Sequence, residues 1–236
     1  MPRIVCHLLL CVTAAALTSC STTEMANRKD SSRTFTTVVV DAGHGGKDSG
    51  ASRRYGPAEK VAALDLAQRL DRKLRAAQFR TVMTRSSDVF IPLDQRVSIG
   101  NRQDNSIFVS LHFNDSGRRG FRGIETYYAS PYARSLAMRI QNKLGSLPGT
   151  QSRGVKQGNF RVIKNSVYPS VLVECGFLSN RGEARRVGSP AYRELLAGRI
   201  AEAILEERHG GGISSSQSRT ASTGRAGTSG PGNDGH

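Results

Sequence analysis

The sequence predicts an α/β fold, a single domain on a mostly parallel (mixed) sheet with helices on both faces. Strand-like and helix-like segments alternate along the chain, which favours parallel strands joined by helices. Several strands are near-continuous apolar runs, such as Val38-Val39-Val40 and Val171-Leu172-Val173, as expected when both faces of a sheet are covered. The chain has 236 residues, 37% hydrophobic and 22% charged, which suits one domain with appendages.

The individual elements follow from the hydrophobic periodicity. Strands are predicted at residues 36–40, 79–84, 106–112, 123–129, 160–163 and 170–174. Helices are predicted at residues 57–77, 93–102, 132–147 and 192–206. Pro57 occupies a permissive first-turn position of the first helix. The apolar stripe of that helix is predicted to consist of Val61, Leu64, Ala67, Leu70 and Leu74.

The N-terminus reads MPRIVCHLLLCVTAAALTSC. Arg3 provides a positive start, and the apolar stretch that follows has the length of a signal-peptide core and is short for a membrane span. The ending Leu17-Thr18-Ser19-Cys20 resembles a bacterial lipobox. That resemblance implies that residues 1–19 form a lipoprotein signal peptide and that Cys20 is lipidated, anchoring the protein to a membrane. The alternative is a plain secretory signal with an incidental cysteine.

Removal of the signal would leave Cys175 as the only free thiol, so no internal disulfide is expected. Ser21 after the cysteine favours, by resemblance, the periplasmic face of the outer membrane. Residues 20–34 are small and polar and are predicted to form a flexible tether after the lipidated Cys20. Residues 210–236 contain almost no apolar side chains and are predicted to be a disordered tail.

The formal net charge of +15 predicts an anionic partner. Nucleic acid, an anionic membrane surface and an acidic polymer all fit this charge, and a generally arginine-rich surface is the alternative. The sequence contains no RNP-like, zinc-finger or helix-turn-helix signature, so nucleic-acid binding is not expected.

Four ionisable side chains are predicted to meet at one edge of the sheet. His44 follows the first strand, His112 ends the third, and Glu174 ends the last. Glu59 lies in the first turn of the helix that follows the glycine-rich loop, so its carboxylate can point back to the same edge. Ligands of open α/β sheets bind beyond the carboxyl ends of the strands. Each residue alone is a weak signal, and their convergence indicates a site.

Two imidazoles and one carboxylate form the ligand set of a hydrolytic zinc site that leaves a position for water. The metal lowers the pKa of that water to about 7, and a second carboxylate is needed to move the proton. The pattern alone does not distinguish which glutamate has which task. The glycines around His44 allow a tight turn without Cβ clashes. They are Gly43, Gly45, Gly46 and Gly50.

A family resemblance rests on several motifs in order. They read VVVDAGHGGKDSGA, EKVAALDLAQRL, TVMTRSSDVFIPLDQR, FVSLHFND, GIETYYAS, RGVKQGNFRVIKNSVYPSVLVECGFLSN and YRELLAGRIAEAIL. Over residues 36–206 the chain resembles the zinc-dependent N-acetylmuramoyl-L-alanine amidases of the amidase-3 family, which are bacterial cell-wall hydrolases. The resemblance implies that residues 35–209 form a zinc amidase catalytic domain.

The resemblance implies one Zn²⁺ ion bound by His44, Glu59 and His112, with Glu174 as the catalytic carboxylate. The implied reaction is hydrolysis of the amide between the N-acetylmuramic acid of peptidoglycan and the L-alanine of the stem peptide, in cell-wall remodelling or cell separation. Two alternatives stay open. One is a catalytically inactive wall-binding or regulatory protein on the same fold, and the other is a zinc peptidase that trims stem peptides.

Two departures from the family concern the substrate groove. Some relatives carry a long insertion with a helix that occludes the metal, whereas residues 115–123 of this chain are too few for such a helix. An obligatory activator is therefore not expected. Phe113 stands where the family often has a small residue, and we expect it to narrow the groove. Further residues are expected along the groove without assigned roles. They are Asn114, Arg122, Tyr127 and Tyr128.

Overall fold

The computed structural model describes residues 27–51, 55–118 and 120–210; the predicted signal peptide, residues 20–26 of the predicted lipidated tether and residues 211–236 of the predicted tail lie outside them. The strands in this part of the chain are β1 (Thr37–Ala42), β2 (Arg80–Met83), β3 (Ser106–Asn114), β4 (Ile124–Tyr128), β5 (Ser152–Gln157) and β6 (Ser170–Phe177). The helices are α1 (Glu59–Ala76), α2 (Leu93–Asn101), α3 (Arg134–Gly145), α4 (Arg161–Lys164), α5 (Arg181–Gly188) and α6 (Pro190–His209).

The strands form one mixed, mostly parallel sheet in the order β2-β1-β3-β6-β4-β5. The first four of these are parallel to one another, β4 is antiparallel to β6, and β5 is parallel to β4. The fold class predicted from the sequence is confirmed. As a consequence, the carboxyl ends of β1, β3 and β6 meet the amino ends of β4 and β5 at one edge of the sheet.

Helices cover both faces of the sheet, but unequally. The larger core lies between the sheet and α1, α3 and α6, and it includes Val40, Leu111 and Val173. On the other face, the short helices α2 and α4 enclose a small cluster around Val39, Phe108 and Leu172. Because side chains alternate along a strand, the polar residues two positions further along point to the same second face. These residues are Asp41, Ser110 and Glu174. The short helices leave the carboxyl-end half of that face open.

Helix α1 is rotated relative to the predicted apolar stripe. Val61 is 53% exposed, and the buried side chains of the helix are Glu59, Ala62, Ala63, Leu66, Ala67, Leu70 and Leu74. The stripe prediction was therefore wrong at Val61. The physical reason is that the inward stripe begins at Glu59, whose side chain is only 4% exposed and whose hydrogen bonds set the register of the helix.

Three further elements differ from the predictions. Residues 160–163 were predicted as a strand, but Arg161–Lys164 is a helix whose Val162 and Ile163 pack against the second face of the sheet. A four-residue apolar run does not distinguish a strand from a buried helical turn. Strand β5 and helix α5 were missed, because SRGVKQ is almost entirely polar and RGEARRVG is short, with only Ala184 and Val187 on its buried face.

Residues 28–31 are hydrogen-bonded to the domain, which the prediction of a flexible tether did not anticipate, although five of the residues 27–34 are exposed. Ser31 is 3% exposed and donates a hydrogen bond to the Ser106 carbonyl at 2.5 Å. The Lys29 amide donates to the Val167 carbonyl at 2.9 Å, and Arg28 donates to the Lys164 carbonyl at 2.7 Å. This segment is held by side-chain and backbone hydrogen bonds that composition does not reveal.

None of the helices in the described part of the chain is both long enough and apolar enough to cross a bilayer.

Candidate metal and catalytic site

His44 lies on a sharp turn immediately after β1. The residue has a positive φ of +58°, and the two glycines that follow it have φ values of +129° and +56°. Gly45 and Asp48 exchange backbone hydrogen bonds at 2.9 and 3.1 Å and close the loop. A Cβ atom at Gly43 would stand 2.6 Å from Nε2 of His112, so only glycine permits the approach of the two imidazoles there.

Two buried arginines hold this loop by its carbonyl groups. Arg96 donates to the Ala42 and His44 carbonyls, both at 2.6 Å. Arg85 donates to the Gly43 carbonyl at 2.7 Å. The buried Asp41 carboxylate accepts a hydrogen bond from Arg96 at 2.9 Å and so neutralises a charge that would be costly to bury alone. The backbone on both sides of the imidazole is thereby fixed.

The two nitrogens of the His44 ring have different carboxylate neighbours. Nδ1 lies 2.9 Å from an Asp48 oxygen, and Nε2 lies 3.0 Å from Oε1 of Glu59. A carboxylate on the far nitrogen of a histidine orients the ring and increases its basicity, which is the usual second partner of a metal-binding imidazole. Sequence reasoning did not single out Asp48, although its position four residues after His44 within the glycine-rich loop was a usable signal.

Glu59 lies between the two imidazoles, at the start of α1. Oε1 lies 2.9 Å from Nδ1 of His112 and accepts a hydrogen bond from the Phe113 amide at 3.0 Å. Oε2 accepts one from the Ala51 amide at 2.9 Å. Burial opposes ionisation, but the hydrogen bonds from His112 and His44 outweigh it and hold the pKa of Glu59 well below its usual range. This carboxylate therefore stays charged.

The side chains of His44, Glu59 and His112 form a group that fits a metal ion. One donor atom from each residue lies within 4.8 Å of the other two. Burial lowers the pKa of both imidazoles, but the Glu59 carboxylate reverses the effect and raises it. Two imidazoles and one carboxylate are the donor set of a catalytic zinc site, which leaves one coordination position for water. Three of the four residues predicted from the sequence are thus brought together here.

Glu174 lies next to this group and is bonded differently. Its Cα position pairs with that of His112 across β6 and β3. Oε2 is buried and has no hydrogen-bond partner within the described part of the chain. Burial is the main cause that raises the pKa of this carboxyl from 4.5 to about 7. A carboxyl that titrates near neutral pH can both accept and return a proton.

A further buried glutamate, Glu125, was missed in the sequence analysis. It pairs with Glu174 across β4 and β6 and is 3% exposed. Its carboxylate accepts hydrogen bonds from Asn114 at 2.8 Å and from the Tyr127 hydroxyl at 2.9 Å, and it forms ion pairs with Arg153 and Lys156. Burial raises its pKa, but the partners outweigh this and lower it. Glu125 therefore stays charged, in contrast to Glu174.

The predicted groove residues fall into three groups. Asn114 and Tyr127 contact Glu125 as described, and Arg122 is exposed and donates to Gln151 at 3.3 Å. Tyr128 packs against the core on the opposite face. The expectation for Phe113 was wrong: its side chain is 1% exposed within the large core, because it alternates with His112 along β3.

An apolar cleft of about 400 Å³ adjoins the candidate metal group. Phe90 and Phe160, which are 39% and 41% exposed, lie on its rim. His44 and His112 are among the residues that line the cleft. A substrate can therefore approach the two imidazoles from the open face of the sheet.

Comparison with known proteins gives concordant results. Residues 38–206 match the protein family described as N-acetylmuramoyl-L-alanine amidase. The chain is 38% identical over 179 residues to N-acetylmuramoyl-L-alanine amidase LytC of Bacillus subtilis, a match that covers 74% of this chain and 36% of LytC. It is 29% identical over 219 residues to N-acetylmuramoyl-L-alanine amidase AmiA of Escherichia coli, covering 73% of this chain and 76% of AmiA.

A solved structure shows the same architecture. The catalytic domain of CwlV, the N-acetylmuramoyl-L-alanine amidase of Bacillus (Paenibacillus) polymyxa var. colistinus, superposes with a TM-score of 0.69 at 36% identity. The alignment covers 73% of this chain and 97% of that domain.

Proposed function

This chain belongs to the N-acetylmuramoyl-L-alanine amidase family, and on that premise we propose that it hydrolyses the amide between N-acetylmuramic acid and the L-alanine of the peptidoglycan stem peptide. The observation that supports this proposal most strongly is the position of a metal-type donor group beside a carboxylate whose Oε2 has no hydrogen-bond partner among the described residues. The donor atoms of His44, Glu59 and His112 lie within 4.8 Å of one another, and Glu174 is the cross-strand neighbour of His112.

We propose that the donor group holds one zinc ion. Zinc in such a site supplies the Lewis acidity that polarises a carbonyl and lowers the pKa of water. Asp48 keeps the His44 ring in the tautomer and orientation that ligation requires, since it lies on the nitrogen opposite Glu59. Glu59 contributes the only negative charge among the three proposed ligands His44, Glu59 and His112.

Glu174 is proposed to carry the proton. As a carboxylate it accepts a proton from the attacking water, and as a carboxylic acid it returns that proton to the departing L-alanine nitrogen. Because Oε2 has no hydrogen-bond partner among residues 27–51, 55–118 and 120–210, this oxygen is available for both steps. Glu125 is unsuited to the task because its carboxylate is already bonded to four donors. Removal of a group with the role of Glu174 typically lowers the rate by about 10²- to 10⁴-fold.

The cellular setting is also a proposal. The family acts on the cell wall, and the lipobox-like ending at Cys20 supports a lipid anchor on the periplasmic face of the outer membrane, with a role in wall remodelling or cell separation. The connection between β3 and β4 is short, and the side chains of His44 and His112 are 23% and 18% exposed. These features support a site that works without an obligatory activator.

A digest of purified peptidoglycan by the purified protein, with and without a chelator, tests the proposed function. The masses of the released fragments identify the cleaved bond. Lactyl-bearing glycan together with intact stem peptides supports the amidase, provided that the chelator abolishes their release. Trimmed stems would instead indicate a peptidase. Wall binding without release would indicate an inactive regulatory protein.

A further inference from the structure

Two cations on the edge strand β5 reach the same face as Glu174. Arg153 and Lys156 are three residues apart, so in a regular strand their side chains would point to opposite faces. The register between β4 and β5 shifts by one residue, because Ile124 pairs with Ser152 whereas Thr126 pairs with Val155. Gly154 lies in the shift with a φ of +81°. This bulge redirects the strand, and both cations contact Glu125.

Arg153 and Lys156 together carry one more positive charge than the Glu125 carboxylate neutralises. One carboxylate faces two full positive charges and also accepts hydrogen bonds from Asn114 and Tyr127. The side chains of Arg153 and Lys156 are 25% and 40% exposed, so both retain faces toward solvent. The pair therefore has capacity for a second anion.

The positions of both cations are fixed by aromatic rings. The Arg153 guanidinium lies 4.9 Å from the centroid of Phe121 and 5.4 Å from that of Phe177. The Lys156 ammonium lies 5.6 Å from the centroid of the Tyr127 ring. Side chains held in this way lose less entropy when they bind a ligand than free surface lysines and arginines do.

The other charges around β5 leave an excess of cations. Besides Glu125, two carboxylates lie in this region: Glu183, which accepts hydrogen bonds from the amides of Gly123 at 2.8 Å and Phe177 at 2.7 Å, and Asp115, which is exposed in the loop before β4. Arg118 and Arg122, in the loop before β4, are exposed and add positive charge. The edge beside β5 therefore favours an anionic ligand.

The spacing of the strands places these cations within reach of a substrate bound at Glu174. β5 is two strands from β6, a lateral distance of about 10 Å. An extended peptide advances about 3.3–3.6 Å per residue, so its second or third residue beyond the scissile amide reaches that distance. A peptide that leaves Glu174 across β4 would carry its own carboxylates toward β5.

Resting on the proposed function, we propose that Arg153 and Lys156 form a subsite for a carboxylate of the stem peptide. The scissile amide lies at Glu174, the peptide crosses β4, and the acidic side chain or terminus of its second or third residue pairs with the two cations. The pair thereby favours stem peptides with free carboxylates over amidated ones. It also orients the bound stem peptide from Glu174 toward β5.

Steady-state kinetics on two muramoyl peptides tests the subsite. The peptides are identical except that the stem carboxylates are free in one and amidated in the other. For the wild type, the KM for the free acid is expected to be about tenfold lower, the effect of one charge-assisted hydrogen bond. Lys156→Met should raise that KM about tenfold, change kcat little, and leave the KM for the amidated peptide unchanged.

Two further variants serve as controls. Lys156→Arg keeps the charge and should retain most of the preference for the free acid. Lys143→Met removes a lysine from α3 that pairs with Glu206 on the opposite face of the sheet, and it should leave both KM values unchanged. A wild type that cleaves both peptides with equal KM overturns the subsite alone. Failure to cleave the amide in either peptide overturns the proposed function, and the subsite with it.

Discussion

Glu174 on β6 and His112 on β3 are directly paired across two parallel strands, so a buried carboxylate oxygen that has no hydrogen-bond partner in the described part of the chain stands beside an imidazole of the candidate metal group. The neighbouring glutamates have other surroundings. Glu59 is hydrogen-bonded to both imidazoles and two backbone amides, and Glu125 is paired with two cations. The three glutamates of the site are thus distinguished by their environments. Glu59 suits the role of a metal ligand, Glu125 that of a fixed negative charge, and Glu174 that of a proton carrier.

Loss of a ligand should abolish metal binding. We expect His112→Ala to retain little zinc after dialysis, because the remaining imidazole and carboxylate no longer complete the set. His209→Ala is the matched control, since His209 is exposed at the end of α6. Zinc per chain, measured by elemental analysis, should fall only in His112→Ala. A wild-type zinc content in that variant would exclude His112 as a ligand.

Asp48 should influence the metal without binding it. Asp48→Asn removes the charge that lies 2.9 Å from Nδ1 of His44, and changes of this kind typically weaken metal affinity by about 10- to 100-fold. Competition with a coloured chelator measures this loss. Asp104→Asn is the control, because that side chain is 93% exposed and Asp104 precedes β3, at the end of the strand opposite His112. Equal affinities in the two variants would show that Asp48 has no supporting role.

Gly43 should tolerate no side chain. A Cβ atom there would stand 2.6 Å from Nε2 of His112, so Gly43→Ala must displace either the ring or the loop. We expect zinc affinity to fall at least tenfold while circular dichroism shows a folded protein. Gly117→Ala is the control, since a Cβ atom at Gly117 meets nothing within 4 Å. If Gly43→Ala bound zinc like Gly117→Ala, the close approach would have no functional importance.

The raised pKa of Glu174 predicts a pH-dependent stability difference in the metal-free protein. The folded state holds the Glu174 proton more tightly than the unfolded state, because burial raises the pKa from 4.5 to about 7. Its stabilising contribution is complete below pH 4.5 and is lost as the pH rises to about 7. Glu174→Gln removes this dependence.

Urea unfolding of the wild type and of Glu174→Gln measures this difference. The free energy of unfolding of the variant, relative to the wild type, should increase as the pH rises from 4.5 to about 7. Other groups that titrate in this range and do not interact with Glu174 contribute equally to the unfolding free energies of both proteins. Their contributions therefore cancel in the difference. A difference that stays constant over the range would contradict the raised pKa.

The four residues of the candidate site could be located from the sequence because strand ends are readable from apolar runs, whereas their separate roles were implied only by the family resemblance. Val171-Leu172-Val173 marks a buried strand, and the next residue, Glu174, lies at the edge where parallel strands present ligands. Glu59 was predicted for a similar reason, since a first-turn side chain points toward the preceding loop. The structure places these residues next to one another, as the strand geometry required.

Glu125 could not be recognised in the same way. Its partners Arg153 and Lys156 are 28 and 31 residues away, on a strand whose polar sequence carries no alternation. Their common orientation depends on a one-residue bulge, which sequence periodicity does not reveal. The attachment of residues 28–31 to the domain was missed for a related reason, because it rests on hydrogen bonds to backbone carbonyls of distant segments.

The most direct test of the proposed mechanism measures zinc content and amide hydrolysis on one preparation of Glu174→Gln. Glutamine keeps the size of the side chain but can no longer carry the proton. The account predicts one zinc ion per chain, as in the wild type, and a rate of L-alanine amide cleavage lowered by about 10²- to 10⁴-fold. A variant that loses its zinc, or one that cleaves muramoyl peptides at the wild-type rate, would contradict it.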